Sequence, residues 1–126
     1  MPERRLLCLF YYFPPSGGAG ALRCLATARD LLDHGWRPTV VAPEGCIHHT
    51  PGHDLLAGIP PEVEVVRTPT VNLKRPLGIL RRLGIPDAAL QGLARAVFVP
   101  DPCWGWVPFA WSASRRLMDS VRFDAI

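Results

Sequence analysis

The sequence predicts an α/β domain built on a parallel sheet, and three observations lead to that prediction. The apolar run at residues 5–13 is too short for a helix and rich in β-favouring aromatics, so it fits a strand buried on both faces. An amphipathic helical pattern follows it, and a second apolar run follows at residues 38–42. Because buried parallel strands joined by a helix cross over right-handed, this order is typical of a Rossmann-like sheet with flanking helices.

Length and composition fit one such domain. Of the 126 residues, 48% are hydrophobic and 20% charged, which excludes a disordered, collagen-like or disulfide-rich chain. No apolar run approaches the ~20 residues of a membrane-spanning helix. The first residues imitate a signal peptide, but two tyrosines and a Pro-Pro pair fit a buried strand better. The four cysteines share no metal-ligand spacing, so we expect reduced thiols in a cytoplasmic protein.

The first strand is predicted to end at Pro14-Pro15, where a glycine-rich loop begins. We expect the following helix to begin near Gly18, since apolar residues then recur at helical spacing: Ala21, Leu22, Leu25, Ala28 and Leu32. Gly35 stands where a helix C′ glycine belongs, before the second strand.

Later elements are predicted from weaker patterns. Residues 44–61 read as a loop with at most one helical turn, and residues 63–67 as a third strand. Asp87 is predicted to cap a helix, and a further amphipathic helix is predicted from Pro108. The last four residues, 123–126, resemble the first residues of another strand.

The glycine loop is the most informative feature. A buried strand delivers it to a helix N-terminus, where free N–H groups favour an anion and glycines such as Gly17 and Gly18 let a phosphate approach. Compared with the dinucleotide fingerprint, Arg23 stands at the third glycine position. The alternative is that these glycines only form a tight turn beneath a close-packed helix.

The order of several motifs resembles the N-terminal domain of family 4-like (GT-B) glycosyltransferases. These motifs are Leu9-Phe10-Tyr11-Tyr12-Phe13-Pro14-Pro15, Gly17-Gly18, Arg23, His34-Gly35, Thr39-Val40-Val41-Ala42-Pro43, Val99-Pro100-Asp101-Pro102, Trp104-Gly105-Trp106-Val107-Pro108 and Arg122-Phe123-Asp124-Ala125-Ile126. The resemblance covers both ends of the chain, whereas residues 44–98 match only in general layout.

The resemblance implies an enzyme that moves a sugar from a nucleotide-sugar donor to a sugar or lipid-linked acceptor, without a cofactor or catalytic metal. The reaction takes place between two Rossmann-like domains, of which the first mainly handles the acceptor. Gly17 and Gly18 would then lie near the donor phosphate or the acceptor, with Arg23 nearby. Residues 1–126 would be that first domain, incomplete at its C-terminus, without the donor-binding domain and inactive alone.

Each further candidate residue has a structural alternative. Arg23 contacts phosphate, pairs with Asp30 or lies in solvent. Asp101 is either a cleft carboxylate or a rigid turn residue. In an extended segment Trp104 and Trp106 would share a side and stack on the acceptor, or they would pack in the core. The metal hypothesis is rejected on spacing for the three clustered histidines: His48, His49 and His53.

Between Val65 and Pro86 there is no acidic residue but five basic ones: Arg67, Lys74, Arg75, Arg81 and Arg82. Such a basic, leucine-bearing stretch either contacts anionic headgroups at the inner face of the membrane, through Lys74, Arg75, Arg81 and Arg82, or is a solvated helix face. Nucleic acid is excluded as a partner, since the net charge is only +3 and no nucleic-acid-binding motif accompanies the stretch.

Two other functions use the same β-α-β start. One is a dinucleotide-dependent oxidoreductase, which would normally have a third glycine at the position of Arg23 and an acidic residue closing the second strand. The other is a non-catalytic nucleotide-binding module. The Pro-Pro-x-Gly-Gly loop favours the glycosyltransferase over both.

Overall fold

The computed structural model of the chain describes residues 3–44, 51–71, 74–97 and 103–126. Its strands are β1 (Arg4–Leu9), β2 (Trp36–Pro43) and β3 (Glu64–Thr68). Its α-helices are α1 (Ala19–Asp33), α2 (Lys74–Arg82), α3 (Asp87–Val97) and α4 (Val107–Ser120). Two 3₁₀ helices span His53–Gly58 and Trp104–Trp106.

The three strands form one parallel sheet in the order β1-β2-β3, which confirms the predicted α/β class. Cys8 lies opposite Val40, and Val41 lies opposite Val66. The first strand is shorter than predicted, because β1 ends at Leu9. The rest of that apolar run is a loop, in which Phe13 is only 1% exposed, so the hydrophobicity of Phe13 reflects burial and not strand structure.

After α4 the chain returns to the other side of β1. Ala125 pairs with Leu6 in parallel, and the Leu7 N–H donates to the Ala125 carbonyl at 3.1 Å. The Asp124 N–H donates to the Arg5 carbonyl at 2.8 Å, and the Asp124 carboxylate accepts the Arg5 N–H at 2.8 Å. Residues 124 and 125 therefore pair with β1, which lies between β2 and this segment. That a strand begins at residues 123–126 stays a prediction.

Helices cover both faces of the sheet because β1 is apolar on both. On one face Cys8 packs in a cluster with Leu25 and Ala28 of α1. On the other face Leu7 packs with Trp106 and Ala110 at the start of α4. This layered arrangement is consistent with a Rossmann-like sheet.

The sequence predicted the C-terminal end of α1 correctly and the N-terminal end of α3 with an error of one residue. Gly35 has a φ of 75° and donates its N–H to the Leu32 carbonyl at 3.1 Å, as the C′ prediction requires. The capping prediction at Asp87 is wrong by one position. The Leu90 N–H donates to the Pro86 carbonyl at 3.1 Å, so Pro86 precedes the helix and Asp87 is its first residue.

The segment after β2 is more helical than predicted. Its 3₁₀ helix spans six residues, about two turns at three residues per turn, whereas at most one turn was expected. Residues 45–50 of the predicted loop lie outside the described residues. In the part of the chain that the structure describes, no helix is both long and apolar enough to cross a bilayer.

The buried Cys8 thiol makes stability depend on pH. Burial, and secondarily the neighbouring Cys24, raises the pKa of Cys8 from 9.0 to about 11. The folded state therefore holds this proton more tightly than the unfolded state does. The corresponding stability is fully present below about pH 9 and is lost as the pH rises toward 11.

We expect the free energy of unfolding to fall between pH 8.5 and 10.5, by at most about 2 kcal/mol from Cys8. Urea unfolding of wild type and Cys8→Ala across this range measures the difference, since the other titrating groups are common to both proteins. The variant should show a shallower decline, and parallel curves would contradict the assignment.

Candidate functional site

The carboxyl end of β1 is a topological switch point. From β1 the chain passes first to β2 and β3 on one side, and later returns to pair on the other side at Ala125. In open α/β sheets, ligands bind in the crevice outside the strand carboxyl ends at such a point. The loop that follows β1, residues 10–18, lies there.

This loop is held through three consecutive main-chain carbonyls. The Phe13 carbonyl accepts the Ser16 N–H at 3.1 Å, and the Pro15 carbonyl accepts the Gly52 N–H at 2.8 Å. The Pro14 carbonyl accepts a hydrogen bond from Nη2 of Arg67. The peptide bond between Pro14 and Pro15 is cis. Partners from the loop itself, from the segment after β2 and from β3 thus fix the approach to Gly17.

Gly17 is covered by a second glycine. A Cβ placed on Gly52 would lie 2.8 Å from the Gly17 Cα, so the close packing of position 52 on Gly17 requires glycine at position 52. Ser16 and Pro51 form an isolated antiparallel bridge beside this contact. Gly17 therefore has a packing role in this structure, and its predicted ligand contact stays a prediction.

Gly18 lies in the open. It occupies the N-cap position of α1 with a φ of 89°, and a Cβ there would meet nothing within 4 Å. Its carbonyl accepts the Leu22 N–H at 3.1 Å, which begins the helix. No side chain caps α1 and no acidic residue lies in its first turn. The N–H groups of the first turn thus lack both an intrahelical acceptor and a capping carboxylate.

Arg23 is exposed on α1, about one helical turn beyond Gly20. The alternative pairing with Asp30 is not formed, and among the described residues Arg23 has no ion-pair partner. Its guanidinium therefore remains available to an anion near the start of the helix. The phosphate contact itself stays a prediction.

Tyr12 is a neighbour of this helix end that the sequence patterns did not single out. A Cβ on Gly20 would lie 3.3 Å from the Tyr12 Cγ, so the ring packs against the first turn of α1. Tyr11 stands edge-on to Tyr12 and to Trp106, at centroid distances of 5.2 Å and 5.5 Å. The feature of the sequence that could have indicated Tyr12 is the aromatic pair Tyr11-Tyr12 shortly after the first strand.

Trp106 is a core residue. It is 7% exposed, and its indole Nε1–H donates to Thr68 Oγ1 at 2.7 Å. The expectation that Trp104 shares a side with it in an extended segment is wrong, because both lie in a 3₁₀ helix. At three residues per turn, side chains two positions apart point in directions about 120° apart. Burial favours the packing alternative for Trp106, and Asp101 lies outside the described residues.

Arg67 belongs to this region and not to the basic surface with which the sequence grouped it. It is half-buried at the end of β3, and its Nη1 donates to the Pro43 carbonyl at 3.3 Å. Its guanidinium carbon lies 5.6 Å from the centroid of the Phe13 ring. Burial lowers the pKa of Arg67, and the neighbouring Glu44 carboxylate opposes that shift.

The histidines form no metal centre in the described part of the chain. His53 is exposed in its 3₁₀ helix, whereas His48 and His49 lie outside the described residues. Within the described ranges no group of three or more His, Cys, Asp or Glu side chains could hold a metal ion.

Comparisons with protein-family models, with curated proteins and with solved structures found no match to this chain. The function is therefore argued from the geometry of the loop after β1.

The close approach of Gly52 to Gly17 gives a stability prediction. We expect Gly52→Ala to destabilise the protein by about 1–3 kcal/mol, because the new methyl group would press on a backbone atom. Gly92→Ala is the matched control, since Gly92 lies inside α3 with nothing within 4 Å of its Cβ position.

Alanine inside a helix is favoured by up to about 1 kcal/mol, so the Gly92→Ala control should stabilise the protein. Urea unfolding of the three proteins would show shifts of opposite sign for the two variants. Equal tolerance of both substitutions would mean that the two loops are not in contact.

Proposed function

We propose that the chain is the N-terminal, acceptor-side portion of a GT-B glycosyltransferase that moves a sugar from a nucleotide-sugar donor to an acceptor. The observation that carries the proposal is the position of the glycine loop. It joins β1, at the topological switch point of the sheet, to the uncapped N-terminus of α1. The order of motifs along the sequence supports the same family.

The charges around the loop suit a phosphate-bearing ligand. The first turn of α1 presents N–H groups and the positive end of the helix dipole, with no acidic side chain to compete. Arg23 adds an exposed guanidinium about one turn along, and Gly18 leaves open space in front of the helix end. A nucleotide sugar or a phosphorylated acceptor carries the matching charge.

The packing of Gly20 argues against the dinucleotide-dependent oxidoreductase. In the dinucleotide fingerprint the second glycine lets the pyrophosphate approach the backbone. Here that position is Gly20, and the Tyr12 ring occupies the space where its Cβ would stand. Together with Arg23 in place of the third glycine, this favours a sugar-nucleotide enzyme over that alternative.

Replacement of Gly18 by Ala tests the anion-binding role of the loop. Gly84 is the matched control, because its φ of 87° is nearly that of Gly18 and its Cβ position is equally open. Both substitutions force alanine into left-handed backbone, at a cost of roughly 1–2 kcal/mol in stability. Only Gly18→Ala places a methyl group where the anion would approach.

We expect isothermal titration with UDP and UDP-glucose to show binding to wild type and to Gly84→Ala, and about tenfold weaker binding to Gly18→Ala. NAD serves as the competing ligand for the oxidoreductase alternative. Equal affinity of all three proteins for UDP, or tighter binding of NAD than of UDP, would contradict the proposal. If a longer form of the protein also bound UDP without transferring sugar, that result would favour the non-catalytic module.

Within this proposal the remaining donor contacts come from a second domain. A donor held on one side only stays open to water, so this chain alone is expected to bind without transferring sugar. Turnover by residues 1–126 with a panel of nucleotide sugars would contradict the two-domain mechanism.

We also propose that α2 contacts anionic lipid headgroups, because its exposed side combines apolar and basic residues. Ile79 is 59% exposed and Leu83, directly after the helix, is 74% exposed. Their spacing of four places them on one face, with Arg82 beside them. Arg81 pairs with Asp87 at 3.3 Å, which leaves Arg82 as the freer charge. The side chains of Lys74 and Arg75 lie outside the described residues.

Co-sedimentation with phosphatidylglycerol-containing vesicles tests the α2 surface. We expect Arg82→Gln to weaken binding about fivefold at low salt, since a basic residue near an anionic surface contributes about 1 kcal/mol. Ile79→Gln should weaken it further, whereas Leu22→Gln, at an exposed leucine of α1, should not. If wild type fails to sediment with the vesicles, α2 is a solvated face.

A further inference from the structure

Arg67 reaches from the end of one strand to the ends of the other two. It lies in β3, at the edge of the sheet, yet its guanidinium bonds the carbonyl of Pro43, which closes β2, and that of Pro14, in the loop after β1. The same guanidinium lies over the Phe13 ring. One side chain therefore connects β3 to the end of β2 and to the loop after β1, at the carboxyl ends of the strands.

The two carbonyls belong to buried residues. Pro14 and Pro43 are fully buried, so water does not satisfy their carbonyls, and prolines bring no N–H of their own to the loop. Arg67 donates a hydrogen bond to each of these carbonyls. A buried carbonyl without a donor is unfavourable, so loss of the guanidinium would release this part of the loop.

We propose that Arg67 is a positioning residue, whose guanidinium fixes the loop at Phe13–Ser16 so that Gly17 and Gly18 are already arranged for an anion before it arrives. This inference rests on the anion-binding role proposed above. It assigns the two arginines different tasks: Arg23 is exposed and contacts the anion, whereas Arg67 is engaged by carbonyls and acts through the loop. A preformed site binds more tightly because less ordering accompanies binding.

Arg67→Gln and Arg67→Lys are the test variants, and Arg29→Gln is the matched control. Arg29 also holds a loop carbonyl, since its Nε and Nη2 donate to Gly58 at 3.0 Å and 2.6 Å, but that contact lies at the end of the 3₁₀ helix His53–Gly58. Lysine keeps the charge of Arg67 without the planar fork that reaches two carbonyls. Circular dichroism confirms that each variant is folded.

Two measurements separate positioning from general stability. Amide hydrogen exchange reports the loop through the Ser16 and Gly52 N–H groups, which are bonded to Phe13 and Pro15. Titration with inorganic phosphate and with UDP reports the site. We expect Arg67→Gln to speed exchange at Ser16 and Gly52 about tenfold and to weaken UDP binding about tenfold. Arg67→Lys should be intermediate, and Arg29→Gln should change neither.

Each outcome decides the question. Unchanged exchange at Ser16, or faster exchange with unchanged UDP affinity, overturns the positioning role. Equal losses in Arg29→Gln would assign the effect to general stability and overturn it as well. If wild type binds neither phosphate nor UDP, the proposed function fails and the positioning role fails with it. The exchange pattern would then still show whether Arg67 holds the loop.

Discussion

The placement of β1 between two neighbours governs the rest of the structure. Its main chain bonds to β2 on one side and to the segment at Ala125 on the other. Its side chains alternate between two apolar clusters, with Cys8 against α1 and Leu7 against α4. Where the loop after such a strand is buried, its main-chain polar groups must be satisfied within the protein. The bonded carbonyls of residues 13–15 meet that requirement.

The features that the sequence predicted are those specified by local pattern. Strand runs, the helical period of α1 and the glycine at position 35 all depend on residues within a few positions of one another. Arg67 was misassigned because its partner Pro14 lies 53 residues away. The bond from Trp106 to Thr68 spans 38 residues. The segment around Trp104 lacks any period that would distinguish an extended chain from a 3₁₀ helix.

The two adjacent glycines of the loop, Gly17 and Gly18, have different surroundings. Gly17 is confined by the backbone of Gly52, whereas Gly18 adopts a left-handed conformation with open space in front of it. A Gly-Gly pair in a sequence does not distinguish close packing against another backbone from a left-handed conformation beside open space. Only the second leaves room for a ligand, so the candidate site narrows to Gly18, the first turn of α1 and the exposed Arg23.

Basic residues that are close in the sequence do not all contribute to one basic surface. Of the five between Val65 and Pro86, Arg67 is turned to buried carbonyls and Arg81 to a carboxylate, and both contribute less to a long-range field than their charge suggests. Arg82 lies beside exposed Ile79 and Leu83, where the proposed headgroup contact would combine charge with apolar area. Attraction to an anionic membrane therefore depends on which charges the fold leaves beside apolar surface, more than on how many the sequence contains.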